Sequence, residues 1–303
     1  MGGILTRSIG FLIMMLVGYL FKKNKIITVE DGRVISKIIV NITLPMALAS
    51  GFQGVTITKT LVSMTFLGIL ANAIMLVVGF IVARKKGSMD KVFYMLNLSS
   101  YNIGNFTIPF AQAFFPASTL AALYLFDVGN GLMCLGISIA IVSSIVNSSS
   151  KFSLKEFLKI LFSSPSFVTY VIMVSLTALK ISLPDSVFTI VKMVGSSNTF
   201  LSMFLIGILF ELNVDKDSIK TVLRVIFIRY GFALIFALII FFILPYSRDI
   251  RSIIAMTVFA PIVSVAPIHC EKLGSDHTLA GFLNSVCIII SLVLMTLTLI
   301  LVG

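Results

Sequence analysis

Apolar stretches of about twenty residues, set apart by short polar connections, follow one another along the whole chain. Ten of them meet or approach the length that a helix needs to cross a bilayer core of roughly 30 Å. Their expected limits are 4–21, 35–52, 60–83, 92–115, 119–146, 165–183, 189–210, 222–245, 252–270 and 278–302. Connections such as "KKNKIITVEDGR", "RKKGSMD" and "EKLGSD" read as loops. The pattern predicts an all-α integral membrane protein with ten transmembrane helices. The first stretch has the length of a secretory leader, but no small-x-small cleavage site follows it, and Lys22, Lys23 and Lys25 lie after it. A retained first span is therefore expected.

Composition narrows the class. Of 303 residues, 58% are hydrophobic and only 12% charged, where a soluble domain carries about a quarter charged. The lipid bilayer is thus the first partner. The net charge of +11 does not imply nucleic acid, because the basic residues sit in short clusters between apolar segments. Fifteen Lys and Arg fall in the connections after segments 1, 3, 5, 7 and 9, Lys151 and Lys216 among them, against five in the even-numbered ones. The positive-inside rule puts the odd connections in the cytoplasm, with both termini outside and the cell membrane as the expected location. The segment 147–164, "NSSSKFSLKEFLKILFSS", reads as an amphipathic cytoplasmic linker. Cys134, Cys270 and Cys287 show no metal-ligand spacing and read as buried thiols; with two histidines, no metal site or cofactor is expected.

The second half repeats the pattern of the first at a shift of 158 or 159 residues. Asp90 falls on Asp249, and the proline-interrupted segment 4 falls on the proline-interrupted segment 9. Each half holds five segments, so the second enters the membrane in the opposite sense. This predicts two inverted repeats, 1–146 and 165–303, joined by the linker 147–164, with a scaffold and a transport part each drawn from both repeats.

Segment 4 contains "SYNIGNFTIPF", Ser100 to Phe110. Pro109 removes a backbone donor and clashes with the preceding turn, and Gly104 weakens the helix further. Freed backbone groups at membrane depth need protein or a water-filled cavity to satisfy them. Asn102, Asn105 and Thr107 supply donors and acceptors there. Segment 9 has its own gap in "APIVSVAPI", where Pro261 and Pro267 flank Ser264. Two broken helices meeting at mid-depth predict a binding site, with half-helix amino ends suited to a carboxylate and carbonyls and amides suited to a cation. Asp127, within segment 5, is expected to face the interior, with Asn130 beside it completing the cavity. Protonation of Asp127 offers a route to proton coupling. Arg229 and Glu211, placed by the segment limits within two turns of the cytoplasmic edge, are expected at the headgroups, the arginine by snorkelling.

These residues also carry a family resemblance. "YNIGNFTIPF" resembles the Asn-x-Gly-Phe/Leu-x-x-Pro signature of the auxin efflux carrier family, which includes bacterial malonate and malate permease-like members. "LPMALASGF", "TLAALYLFDVGNG", "LFSSPSFVTYVIMVSLTALKISLP" and "APIVSVAPIHCEKLGSDHTLAGFLNSV" resemble its segments 2, 5, 6 and 9–10 in order. The resemblance implies the fold of the bile-acid/sodium symporters, with broken segments 4 and 9 crossing, and an elevator-type carrier of small organic carboxylates. It also implies a homodimer. The chain departs from the family at Phe200, where a proline is usual, and at Ser264 and Val265, where relatives often carry an asparagine.

The expected function is therefore secondary transport of a small organic anion such as malate or malonate, coupled to Na+, H+ or neither. A passive channel or facilitator, and a carrier of an aromatic, auxin-like carboxylate, are the alternatives. An intramembrane enzyme is disfavoured because the chain lacks H-E-x-x-H, G-x-S-x-G and an in-span aspartate pair, and no nucleotide-binding loop is present.

Overall fold

The computed structural model describes residues 2–146, 153–211 and 218–302, and over these it contains helices and connecting turns. Lys151, Lys216 and the first part of the linker lie outside the described residues. The chain runs through α1 (Gly2–Lys23), α2 (Val29–Gly51), α3 (Lys59–Ala83) and α4 (Ser88–Leu98). A gap and a π-helical turn (Ile103–Thr107) lead into α5 (Ile108–Ala111). Then come α6 (Ala117–Val146), α7 (Leu154–Phe162), α8 (Pro165–Ala178), α9 (Asp185–Ile208) and α10 (Ile219–Phe242). The chain ends in α11 (Arg248–Thr257), α12 (Ala266–Lys272) and α13 (His277–Val302).

Seven of these helices are long and apolar enough to cross a membrane, or eight if the pair α7–α8, bent by 83°, is one span. The expected segments 92–115 and 252–270 do not form continuous helices; the first is split after Leu98 ahead of the π turn and Pro109, the second after Thr257 around Pro261. The expected segment 165–183 yields a helix of 14 residues, because Lys180 takes a left-handed φ of 59° just past its end.

Local chemistry sets the starts. Thr28 and Asp31 form a reciprocal capping box at α2, and Thr58, Ser153 and Ser164 each accept a bond from the first turn of α3, α7 and α8. α7 is amphipathic, as expected for the linker, and sits with Phe157 against Gly136 of α6.

The densest helix contacts fall into two sets, or bodies, which also touch each other where α13 meets α1 and where α6 meets α2 and α8. In one, α1 and α2 lie against α9, and α2 also against α8. In the other, α3 packs on α6 and α4, α10 and α13 pack on α11, and α12 joins α4 to α13. Glycine pairs fix the closest crossings. A Cβ on Gly18 would overlap the Phe204 carbonyl, and one on Gly207 the Met15 carbonyl, locking α1 to α9. In the second body, Gly68 meets the Phe126 carbonyl and Gly129 the Thr65 carbonyl, so α3 and α6 approach backbone to backbone. In a bilayer, where apolar side chains gain little by leaving lipid, such close packing is a main source of helix association.

Candidate functional site

The two gaps touch each other. Asn102 donates its backbone N–H to the Pro261 carbonyl at 2.9 Å, and its side-chain amide donates to Ser264 Oγ at 2.8 Å. Farther out, Asn97 of α4 donates to the Cys270 sulfur of α12 at 3.4 Å, and Ser275 Oγ donates to the Met89 carbonyl at 2.8 Å. The gap in segment 4 is held in a sparsely populated backbone shape, with Ser100 at a left-handed φ of 69°. For a non-glycine residue that conformation is uncommon and must be stabilised by its surroundings.

Proline and the π turn act together in the second half of segment 4. Thr107 N–H and Thr107 Oγ1 both donate to the Asn102 carbonyl at 3.2 Å, five residues back. The widened turn accommodates Pro109, which has no N–H to give, in the helix that follows. α2 uses the same device: the π turn Ile39–Thr43 precedes Pro45. The local sequences, "NITLP" and "NFTIP", share an Asn-x-Thr-x-Pro frame.

A cavity of about 190 Å³ lies beside the first gap. Asn102, Gly104, Asn105, Asp127 and Asn130 line it, together with Tyr101, Cys134 and Val263 of the same body and Leu44 and Tyr170 of the other. Asn130 is buried and mimics a backbone partner: its Oδ1 accepts from Tyr101 N–H at 3.0 Å while its Nδ2 donates to the Tyr101 carbonyl at 2.9 Å. The same Nδ2 also reaches Asp127 Oδ1 at 2.9 Å, and Tyr170 OH donates to Asp127 Oδ2 at 2.8 Å. Both carboxylate oxygens are thus held by donors, one from each body. Asn105 Oδ1 is buried and has no hydrogen-bond partner among the described residues. Among the described residues, no lysine, arginine or histidine lines this cavity.

The other sequence candidates sit behind the lining. Thr107 and Pro109 are buried and shape the π turn. Pro261 offers its carbonyl to Asn102, Ser264 holds the Asn102 amide, and Pro267 opens α12.

Arg229 corrects its expected place. It is not at the headgroups but 2% exposed, about 15 Å along α10 from Ile219 at 1.5 Å per residue. Its guanidinium donates to carbonyls of the last turn of α4, Asn97 at 3.3 Å and Leu98 at 2.8 Å, and of the two gaps, Ser100 at 2.9 Å, Ala260 at 3.0 Å and Pro261 at 3.2 Å. Depth along the sequence does not reveal which way a helix face turns, and that is why it was misplaced. Tyr170 was also missed, although a tyrosine inside an apolar segment brings a hydroxyl that needs a partner.

A bundle of long apolar helices with an amide- and carboxylate-lined cavity at the meeting of two broken segments defines a multi-pass membrane protein. Residues 4–153, just under half of the chain, match the family described as membrane transport protein, which supports the resemblance to the auxin efflux carriers and points to a transporter. No curated protein matches the chain.

Proposed function

We propose that this protein is a secondary carrier of small organic anions, malate and malonate being the first candidates, in which one helix body moves against the other. The ten segments would cross the cell membrane as two inverted five-helix repeats with both termini outside. The observation that carries this reading is the position of the cavity: it lies on the boundary between the bodies, with a helix gap and Asp127 on one wall and Tyr170 on the other. A site on such a boundary changes its exposure when the bodies slide.

The surroundings support an inward-facing state. Toward α7, the cavity adjoins a wider space of about 610 Å³ that shares Val40, Leu135 and Ser164 with it and includes Glu156 and Lys159. One turn from Asp127 toward the start of α6, Tyr124 stacks on Phe52 with centroids 5.6 Å apart, and Tyr170 packs on both rings. These three rings cluster on the side of Asp127 toward the start of α6, and in this reading they form the closed side.

The cavity's charge supports a proton as the coupling ion. Two negative charges 4 Å apart repel by about 4 kcal/mol at an effective dielectric of 20. With no basic side chain among the described residues of the lining, a carboxylate would bind beside Asp127 when Asp127 carries a proton, which also turns one acceptor oxygen into a donor. Anion and proton therefore travel together. Uptake of labelled acid into proteoliposomes tests this: saturable uptake with counterflow and a response to an imposed pH gradient supports the carrier. Flux that rises linearly with concentration and shows no counterflow contradicts it in favour of a channel.

A further inference from the structure

Arg229 presents an electrostatic problem with a specific solution. A permanently charged guanidinium is buried in the middle of an apolar helix, and no ion pair to it occurs among the described residues. Its partners are five carbonyls, two from the last turn of α4, one from the gap that follows, and two from the gap after α11. A helix carries about half a negative charge at its carboxyl end. Two such ends pointing at one spot sum to roughly one negative charge, which a single cation neutralises. The Tyr101 ring adds its face, with its centroid 5.0 Å from the Arg229 Cζ. Unwound carbonyls and half-helix carboxyl ends are the groups with which carriers of broken-helix design hold a metal cation.

We infer that Arg229 is the resident cation of this crossing: a tethered guanidinium fills the carbonyl cluster that a sodium ion would otherwise occupy. The crossing therefore takes no metal cation, and its two gaps stay joined through the whole cycle without ion binding. The planar fork reaches both gaps at once, a geometry that a lysine ammonium does not reproduce. The inference deepens the carrier reading only in its consequence for coupling, since the cluster itself is a property of the folded protein.

The experiment compares thermal unfolding of the full chain in detergent, with sodium chloride, guanidinium chloride or choline chloride at equal low ionic strength. For the wild type the expected result is one Tm in all three salts. Arg229→Ala is expected to unfold at a clearly lower Tm, regained in part with guanidinium and not with choline. A sodium-specific rise in the wild-type Tm, an Arg229→Ala Tm equal to wild type, or no gain from guanidinium over choline would each overturn the inference. Should Arg229→Ala fail to fold, Arg229→Lys takes its place. It keeps the charge but reaches fewer carbonyls, and is expected between wild type and unfolded; a Tm equal to wild type overturns the need for the fork. In proteoliposomes, uptake is expected to be equal in sodium and choline media, and a more than roughly tenfold dependence on sodium overturns the inference. If no acid is taken up in either medium, the carrier reading falls, and the Tm comparison still decides the role of Arg229.

Discussion

Tyr170 donates its hydroxyl to Asp127 at 2.8 Å, and this bond joins the two helix bodies across the cavity. A hydrogen bond to a charged group contributes about 1.5–3 kcal/mol, so it holds the present arrangement, and under the proposed carrier mechanism it breaks as the bodies move. Tyr170→Phe keeps the ring that packs on Phe52 and Tyr124 and removes only this bond. The expected outcome is a several-fold change in the counterflow rate of labelled acid, with the fold retained. An unchanged rate would place the bond outside the moving boundary.

Asp127→Asn removes the titratable group from the cavity. Wild-type uptake is expected to rise as the pH of the loading side falls, because the proton relieves repulsion between Asp127 and the bound carboxylate. In Asp127→Asn that pH dependence is expected to vanish, since the amide is neutral at every pH. Initial rates at acid and neutral pH check this. A variant that keeps the wild-type pH profile would assign the proton to another group.

Asn130 satisfies both backbone groups of Tyr101, which is buried. Asn130→Ala leaves an N–H and a carbonyl unpaired, at about 1–3 kcal/mol each. The expected result is a lower Tm and loss of substrate-induced stabilisation. Asn130→Asp keeps the acceptor for the Tyr101 N–H and should lose less stability, although it sets a second carboxylate beside Asp127.

Much of this site was legible in the sequence, because proline, glycine and asparagine act locally. The gaps around Asn102 and Ser264 follow from backbone chemistry that needs no knowledge of neighbours. Asp127 and Asn130 stood out as polar residues where lipid contact is costly. Arg229 did not, because its meaning depends on which carbonyls α10 faces, and those come from residues 97–100 and 260–261. The pairing of Tyr170 with Asp127 depends likewise on how α8 packs on α6. The twin frame in "NITLP" and "NFTIP" was present in the sequence, but its product, a π turn that absorbs the proline, is seen only in the backbone.

Gly129 provides a test of packing apart from the site. Its missing Cβ lets α6 meet the Thr65 carbonyl, so Gly129→Val forces α3 and α6 apart. A loss of about 2 kcal/mol or more is expected, in the range of overpacked cores. Gly231, with open space around it on α10, is the control. Gly231→Ala is expected to be neutral or to gain up to about 1 kcal/mol of helix stability. Paired Tm measurements check both.

The most direct test of the central claim is uptake of labelled malate and malonate into proteoliposomes, comparing wild type with Asn105→Ala under an imposed pH gradient. Asn105 Oδ1 is a buried acceptor beside the gap with no partner among the described residues, so its removal breaks no hydrogen bond of that atom to them and tests its proposed contact with the ligand. Saturable, gradient-driven uptake by the wild type, reduced at least tenfold in Asn105→Ala at an unchanged Tm, is the predicted result. Equal uptake by the two proteins would contradict a binding site at the meeting of the broken helices.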